Sequence, residues 1–437
     1  MKTDSKKKIA RRAPLLARIA PIAASTLACI VPVAWAADTP EGDLPPMDAQ
    51  PSIEASAPTR DWTLVLEAAG LDTKVRDNSR AAHSRASLDF RFDKKLAPQW
   101  RMVVAHRIDS FDPLSDSDRR STVPLLKEAY IGWQPVPEWA AEAGRVNLRL
   151  GSAVGYNPTD FFKARAVPTL VSLDPESRRK NRLGSVMLRG ESLWESGAAS
   201  LVLSPRLAAE PSSGRLPAGD SLSRTNGQDR ALAILSQRVA GEVQVRGLAY
   251  AEQGRSPQFG FDASALLNPA TVVYAEWAGG SMATLPNEAA GIDSDTRFRS
   301  RAAAGGTYTF PFGLSLTVEA QANEAAPRKG EWQVLRATNP LAWGRALQWA
   351  FDCQELPARR SLFVYGQWRD AIVRRFDLSG FVQADEGSAR QYWFEARRRF
   401  EGFDIALRWQ AQRGPAWSRF GAASEQRSAQ LIGTLYF

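Results

Sequence analysis

Apolar and polar residues alternate one by one along much of this chain, from Trp62 to the last residue. In LSLTVEAQAN (314–323) the apolar side chains fall on even positions, and in GFDIALRWQ (402–410) most of them fall on odd positions. RASLDFRFD (85–93) and RVNLRLG (145–151) show the same period of two. Successive side chains of a strand point to opposite faces, so each stretch predicts a β-strand that is apolar on one side and polar on the other.

About 18 stretches of this kind can be counted, and the connections between them differ in length. Short connections such as VAGE (239–242), LNPA (267–270) and FPFG (310–313) alternate with long ones such as 153–182 and 324–360. The candidate strands lie near residues 62, 86, 101, 126, 145, 184, 197, 230, 242, 257, 271, 297, 314, 361, 373, 390, 403 and 428.

Two all-β architectures contain such strands. A soluble sandwich buries the apolar face, whereas a membrane barrel turns that face toward lipid. A sandwich has no reason to alternate short and long connections. Outer-membrane barrels have an even number of antiparallel strands, tight periplasmic turns and long extracellular loops. The pattern therefore predicts a transmembrane antiparallel β-barrel of about 18 strands (16–18) over residues 61–437.

The N-terminus has the features of a secretory signal sequence. A basic leader precedes a short apolar stretch, and AWA at 34–36 matches an A-x-A cleavage site. We therefore expect residues 1–36 to be removed on export. Residues 37–60 are rich in proline, alanine and acids, and this composition predicts a disordered periplasmic tail.

Removal of the leader changes what the charge of the chain implies. The whole sequence has a net charge of +9, and residues 1–36 hold seven basic residues and one acid, which leaves about +3. This balance gives no reason to expect nucleic-acid binding. The mature chain has one cysteine, Cys353, and two histidines. We expect no disulfide within the chain, no zinc or haem site and no other cofactor.

The last ten residues, SAQLIGTLYF, keep the alternation to the final side chain, although C-terminal residues are usually frayed and polar. In a barrel the last strand has to pair with the first, which accounts for an ordered end. The terminal aromatic also resembles the closing-strand signal of bacterial outer-membrane barrels. That resemblance implies that the barrel assembly machinery recognises Leu435 and Phe437, so that deleting Phe437 or replacing it with a charged residue should impair insertion.

Several stretches carry a likeness to a known group of proteins. LKEAYIGW (126–133), GRVNLRLGSAVGYNPTDFF (144–162), SLFVYGQWRDA (361–371) and SRFG (418–421) resemble large outer-membrane barrels of Gram-negative bacteria, a class that includes porins and channels of the alginate-export type. The resemblance implies an outer-membrane location, contact with outer-membrane lipid and lipopolysaccharide, and a channel role without a specified substrate.

Arginine dominates the polar faces, with 42 arginines against seven lysines in the mature chain. Guanidinium groups bind carboxylate or phosphate through paired hydrogen bonds and keep their charge, so arginines along a pore wall can pass small anions stepwise. The alternative is that they pair with acids and stiffen the wall. The predicted pore-lining residues are Arg85, Arg91, Glu128, Arg145, Arg149, Arg165, Arg246, Arg297, Arg299, Arg301, Arg397 and Arg399.

For two groups of these residues, the prediction that they face the pore depends on which residues of the strand point inward. Arg297, Arg299 and Arg301, here called the arginine row, share one face with no acid between them, so they are the leading candidates for solute contact. In the second group, RVNLRLG is read as a strand whose apolar residues face lipid, because a charged side chain at the lipid midplane costs roughly 2–4 kcal/mol. This reading places Arg145 and Arg149 on the pore wall.

Two connections are candidates for entering the barrel. The 153–182 connection mixes aromatic with basic residues. By resemblance to porins it folds into the lumen and narrows it, or else it is a surface loop that contacts lipopolysaccharide phosphates. Residues 341–351 have helical periodicity and would either plug the pore or cover it from outside. The predicted apolar face of this helix is Leu341, Ala342, Ala346, Leu347 and Ala350.

The sequence favours a passive channel for small anionic solutes over three rivals. An enzyme needs a nucleophile and an oriented histidine. His106 falls on the lipid face, and His83 and Ser84 point to opposite faces, so we expect no catalytic residue. A TonB-type transporter needs a folded plug, for which residues 37–60 are too few. A structural or adhesive barrel without a conducting pore is the alternative function. The direction of transport and the oligomeric state stay open.

Overall fold

The computed structural model describes residues 60–112, 121–209 and 221–437, with the side chains of 121 and 221 left out. Within these ranges 18 strands form one antiparallel sheet, and the pairing of the first strand with the last closes it into a barrel. The first nine strands are β1 (Trp62–Val75), β2 (Arg80–Ala97), β3 (Trp100–Phe111), β4 (Ser121–Val136), β5 (Trp139–Val146), β6 (Ser185–Trp194), β7 (Gly197–Ser204), β8 (Arg230–Ala240) and β9 (Val243–Glu252). The other nine are β10 (Gln258–Asn268), β11 (Thr271–Met282), β12 (Arg297–Thr309), β13 (Leu314–Asn323), β14 (Arg360–Trp368), β15 (Phe376–Asp385), β16 (Ala389–Arg399), β17 (Phe403–Arg413) and β18 (Glu425–Tyr436).

The predicted fold class is confirmed. All 18 candidate positions lie inside a strand or within three residues of one, the largest offset being at β15. The predicted signal sequence and, apart from Arg60, the predicted tail lie outside the described residues and stay predictions.

The connections sort by length largely as predicted. The eight on the side of the barrel where β1 begins and β18 ends are 98–99, 137–138, 195–196, 241–242, 269–270, 310–313, 369–375 and 400–402. The nine at the other end are 76–79, 112–120, 147–184, 205–229, 253–257, 283–296, 324–359, 386–388 and 414–424. Three of these nine are short, so the strict alternation of long and short connections does not hold around the whole barrel. The end with the long loops is extracellular in barrels of this type.

Strand β17 shows how the barrel wall is divided between its two faces. Leu407 and Trp409 keep 58% and 43% of their surface exposed, whereas Asp404 and Arg408 keep 7% and 5%. The polar residues are therefore inside the barrel and the apolar ones outside, the reverse of a soluble core. A barrel in a membrane has this arrangement, because its outer face contacts lipid and its inner face contacts a polar lumen. β13 follows the same rule, as its alternation predicts, with Glu319 fully buried inside and Val318 exposed outside.

Short helices lie in the long connections. They are α1 (Pro175–Lys180), α2 (Ser221–Thr225), α3 (Leu285–Ala290), α4 (Lys329–Thr338), α5 (Pro340–Asp352) and α6 (Arg419–Ala422). Within the described ranges, no helix has the length and apolar character that a membrane crossing requires.

The predicted helix at 341–351 is present as α5, and of the five residues of its predicted apolar face only Leu341 is exposed. Ala346 and Ala350 are fully buried, whereas Leu341 is 74% exposed. The Trp343 indole donates to the carbonyl of Trp417 in the β17–β18 connection, 2.9 Å away. Helix α5 therefore packs on neighbouring extracellular loops, with Leu341 pointing away from them.

Candidate functional site: a loop inside the barrel

The segment 147–184, here called the lumen loop, leaves the barrel wall where β5 ends. The prediction that RVNLRLG continues as a strand with its apolar residues toward lipid is wrong. β5 stops at Val146, and Leu148 and Leu150 keep only 4% and 3% of their surface exposed. They pack with Phe161 of the same loop against inward-facing apolar side chains of the wall. The loop thus brings its own apolar residues into the barrel.

Two carboxylates on the wall hold the first part of the lumen loop. Glu276 of β11 accepts a hydrogen bond from the amide of Ala153 at 2.5 Å and from the hydroxyl of Thr159 at 2.8 Å. Glu319 of β13 accepts from the amide of Val154 at 2.7 Å. It also accepts from the amide of Tyr156 at 3.0 Å. Buried backbone amides need such partners once they leave a sheet, so the two carboxylates replace the missing neighbouring strand.

The second part of the lumen loop contacts other strands of the wall, including β3 on the far side of the barrel from β11 and β13. The hydroxyl of Thr169 donates to Asp109 of β3 at 3.0 Å, and Arg408 of β17 donates to the carbonyl of Val171 at 2.9 Å. Tyr365 of β14 donates to Asp174 at 3.2 Å. Together with the contacts to β11 and β13, these bonds show that the loop crosses the barrel interior. Of the two interpretations of this connection, the structure shows the one in which it narrows the lumen.

Apolar side chains of the lumen loop also pack against the wall. The ring of Phe161 stacks on Tyr250 of β9 with centroids 4.7 Å apart. Leu173 packs on Phe363 and on Trp393, a residue whose side chain is 3% exposed. The Trp393 side chain therefore lies inside the barrel, beneath the loop. Dense apolar packing on two sides makes the loop a fixed part of the interior.

A buried ionic cluster joins the lumen loop to the extracellular connection 324–359. Glu355 accepts a hydrogen bond from Tyr156 at 2.6 Å and forms ion pairs with Lys163 at 3.3 Å and Arg301 at 2.8 Å. Burial alone would raise the pKa of Glu355, but Lys163 and Arg301 outweigh it and lower the pKa below its usual value. The carboxylate therefore stays ionised and links both loops to β12.

The arginine row does face the lumen, as its phase predicts, but it is not free of acids. Arg299 is 2% exposed and pairs with Asp295 at 3.1 Å. Arg301 pairs with Glu355, a residue 54 positions away in the sequence. Arg297 is exposed and has no ion pair among the described residues. The expectation that no acid compensates the row is wrong, because its acids come from connections and not from its own strand.

Most of the other predicted pore-lining residues also sit in ion pairs on the inner wall. The pairs are Arg85 with Glu67, Arg91 with Glu128, Arg246 with Asp262, Arg397 with Glu395 and Asp404, and Arg399 with Asp370 and Asp377. Such networks neutralise the wall and hold neighbouring strands together. The alternative in which arginines stiffen the barrel therefore describes these positions well.

Two predicted pore-lining residues belong to the lumen loop, and a third is buried at the end of β5. Arg145 is buried at the end of β5 and donates to the carbonyl of Gly184 at 3.1 Å. Arg149 is exposed and belongs to the lumen loop, not to the wall. Arg165 also belongs to the loop, where its backbone amide donates to the carbonyl of Asp352 at 2.7 Å.

Arg178 is a functional candidate that strand-based reasoning missed. It lies in α1, which begins after Asp174 and Pro175 inside the lumen loop, with the carboxylate of Asp174 capping the amide of Ser177 at 2.8 Å. In the described part of the chain its side chain has no hydrogen-bond or ion-pair partner, and its Nε is buried. Burial and then the nearby Arg419 lower the pKa of Arg178, as expected for an uncompensated positive charge. The sequence signal was the capped run DPESRRK.

The predicted assembly residues lie at the seam that closes the barrel. Leu435 of β18 pairs with Leu66 of β1, and Phe437 exchanges backbone hydrogen bonds with Leu64. Both side chains are about half exposed on the outside of the wall, at 47% and 52%. Recognition of these residues by the assembly machinery stays a prediction.

No protein-family model and no curated protein matches this sequence. Solved structures match its fold. OccK11 (OpdR) of Pseudomonas aeruginosa aligns with a TM-score of 0.50 and 12% identity, over 86% of this chain and 95% of that one. OccAB1 of Acinetobacter baumannii aligns with a TM-score of 0.54 and 9% identity, over 86% and 96%. OccAB3 of the same organism aligns with a TM-score of 0.53 and 8% identity, over 86% and 98%. At these identities the likeness shows a shared fold, the closed antiparallel barrel of the outer-membrane type.

Proposed function

We propose that the protein is a porin-like channel of the outer membrane that lets small anionic solutes pass passively through a lumen narrowed by the loop 147–184. Barrels of 16–18 strands enclose an aqueous channel unless something fills it. The outward apolar face fits lipid, and the inward charged face fits water. These features support the channel, and they do not depend on the identity of the solute.

The preference for anions rests on the lumen loop. The wall arginines are largely compensated by acids, so they contribute little net field to the pore. Arg178 is the observation that carries the preference, because its guanidinium is inside the barrel without a partner in the described residues. Lys180 and Arg149 of the same loop are exposed and likewise form no ion pair there. Three uncompensated cations on one loop would attract carboxylates or phosphates and delay cations.

The test is a reversal-potential measurement in planar bilayers under a salt gradient. We expect the wild-type channel to be anion-selective and Arg178→Gln to lower the ratio of anion to cation permeability without loss of folded barrel. Arg345→Gln is the matched control, because Arg345 is an exposed arginine of α5 that has no ion pair among the described residues and lies in the outer connection 324–359. It should leave the ratio unchanged.

Three results would count against the proposal. Cation selectivity of the wild type would refute the anionic preference but keep the channel. An unchanged ratio in Arg178→Gln would refute the role of the loop. Absence of conductance in well-folded wild-type protein would refute the channel and favour the structural or adhesive barrel.

A further inference from the structure

Basic side chains line up on the outer surface of the barrel where its first and last strands meet. Lys74 of β1 lies directly opposite Arg427 of β18 on one side and Arg80 of β2 on the other. Next to them, Arg413 of β17 lies opposite Arg390 of β16. These five residues, here called the rim arc, stand at the extracellular ends of five neighbouring strands.

The rim arc is on the lipid-facing side of the wall. Its sequence neighbours Thr73 and Ser428, which alternate with it, are buried at 0% and 2% exposure and point inward. Below the arc the same outer face continues with Trp409 at 43% exposure and Leu431 at 61%. The cations therefore lie at the extracellular edge of an apolar band. A surface of this kind can bind a charged lipid headgroup through its cations and the acyl chains of the lipid through its apolar band.

The cations of the rim arc are uncompensated. In the part of the chain that the structure describes, none of the five forms a hydrogen bond or an ion pair through its side chain, in contrast to the paired arginines of the inner wall. Asp72, which lies on the same face two residues before Lys74, forms no ion pair with them in the described residues either. Long side chains that hold no partner in the protein are free to bind an external anion.

A cleft gives the rim arc a place for such an anion. Lys74, Arg413 and Arg427 line a cavity of about 420 Å³ together with Arg76 and Trp409. Arg76 donates to the carbonyl of Ala423 at 3.2 Å and 3.1 Å, so the β17–β18 connection holds its guanidinium beside the cleft. Four cations and an indole around one cavity suit phosphate groups joined to an apolar body.

We propose that the rim arc is a binding site for a phosphorylated glycolipid of the outer leaflet, with the phosphates of its lipopolysaccharide headgroup on the cations and its acyl chains along Trp409 and Leu431. The site is at the end of the barrel with the long loops, which places it at the outer leaflet. The inference rests on the outer-membrane location proposed above and is independent of conduction.

The test compares the binding of bisphosphorylated lipid A with that of its dephosphorylated form by native mass spectrometry of detergent-purified protein. We expect the triple variant Lys74→Gln/Arg413→Gln/Arg427→Gln to weaken binding of the phosphorylated form by at least about tenfold, because it removes three of the four cations that line the cleft. Dephosphorylated lipid A should bind the wild type and this variant equally.

The matched control is Arg369→Gln/Arg374→Gln/Arg375→Gln. It removes an equal number of positive charges, three, from exposed arginines of the connection 369–375 at the opposite end of the barrel, and it should bind like the wild type. Heat-modifiable mobility on gels shows that each variant folds, and the single variants Lys74→Gln and Arg427→Gln replace the triple if it does not.

Equal affinity of the triple variant and the wild type would overturn the site, as would equal binding of both lipid A forms by the wild type. Phosphatidylglycerol that competes as well as lipid A would overturn the assignment to the outer-leaflet glycolipid. Conductance distinguishes this inference from the proposed function. A triple variant that conducts normally but has lost lipid A supports both, whereas a wild type that binds lipid A without conducting refutes only the channel.

Discussion

Two stretches with the same alternation, GFDIALRWQ at 402–410 and RVNLRLG at 145–151, have different surroundings in the barrel. The first forms β17 and turns Leu407 toward lipid with 58% of its surface exposed. The second leaves the wall after Val146, and Leu148 is buried in a cluster of aliphatic and aromatic side chains inside the barrel. Alternation thus reports which side chains avoid water, but it does not distinguish lipid outside the wall from a protein core within it.

The difference comes from glycines and from hydrogen-bond partners. Gly144 and Gly151 border the second stretch with φ of 132° and 85°, values that other residues rarely adopt. A Cβ on Gly151 would lie 2.5 Å from a carboxylate oxygen of Glu276, so the backbone can approach the carboxylate only without a side chain. From there on, Glu276 and Glu319 accept the amide hydrogens that a neighbouring strand accepts in β17.

Removing both carboxylates, Glu276 and Glu319, should have the largest effect on the position of the second stretch inside the barrel. Glu276→Ala/Glu319→Ala leaves several buried amides of the lumen loop without acceptors, at about 1–3 kcal/mol each. We expect a several-fold rise in single-channel conductance and a lower free energy of unfolding, measured in bilayers and by urea titration in detergent. Glu276→Gln/Glu319→Gln keeps one acceptor oxygen at each site and should have the smaller effect. Unchanged conductance in the alanine variant would show that these bonds do not hold the loop.

A second test compares the two leucines directly. Leu148→Ala should lower the free energy of unfolding by about 2–5 kcal/mol, because it opens a cavity between the lumen loop and the wall. Leu407→Ala should cost markedly less, because lipid or detergent chains fill the space that the smaller side chain leaves. Urea titrations of the two variants under one set of conditions measure the difference between their losses of unfolding free energy. Equal losses would contradict the assignment of Leu148 to a protein core.

The prediction with the smallest expected effect tests the close approach of Gly151 to the carboxylate of Glu276. Gly151→Ala and Gly254→Ala place an alanine at φ of 85° and 81°, so both pay a similar backbone cost of about 1–2 kcal/mol. Gly254 has no atom within 4 Å of the added Cβ, whereas Gly151 meets Glu276. The excess loss of stability in Gly151→Ala should be about 1–3 kcal/mol, read from thermal unfolding. Two variants of equal stability would mean that the carboxylate moves aside freely.

Much of the wall could be predicted from the sequence, and much of its interior could not. The positions of the strands and the faces of β13 and β17 follow from alternation, which is a local property of the chain. The partners of Arg299 and Arg301 were missed because they come from connections, and no spacing within β12 reveals them. The phase of RVNLRLG was misread because Leu148 and Leu150 have the same pattern whether they meet lipid or Phe161.

The sequence by itself determined that this protein is an antiparallel membrane-type barrel of about 18 strands (16–18), since apolar and polar faces repeat at the period of a strand and the connections differ in length. Only the tertiary structure decided that the lumen loop crosses the interior, that most wall arginines are compensated, and that five cations gather into the rim arc. The physical reason is distance along the chain. Lys74 meets Arg427 only because the barrel closes, and Glu276 and Glu319 meet the backbone of 153–156 only because the loop enters a space that the complete wall creates.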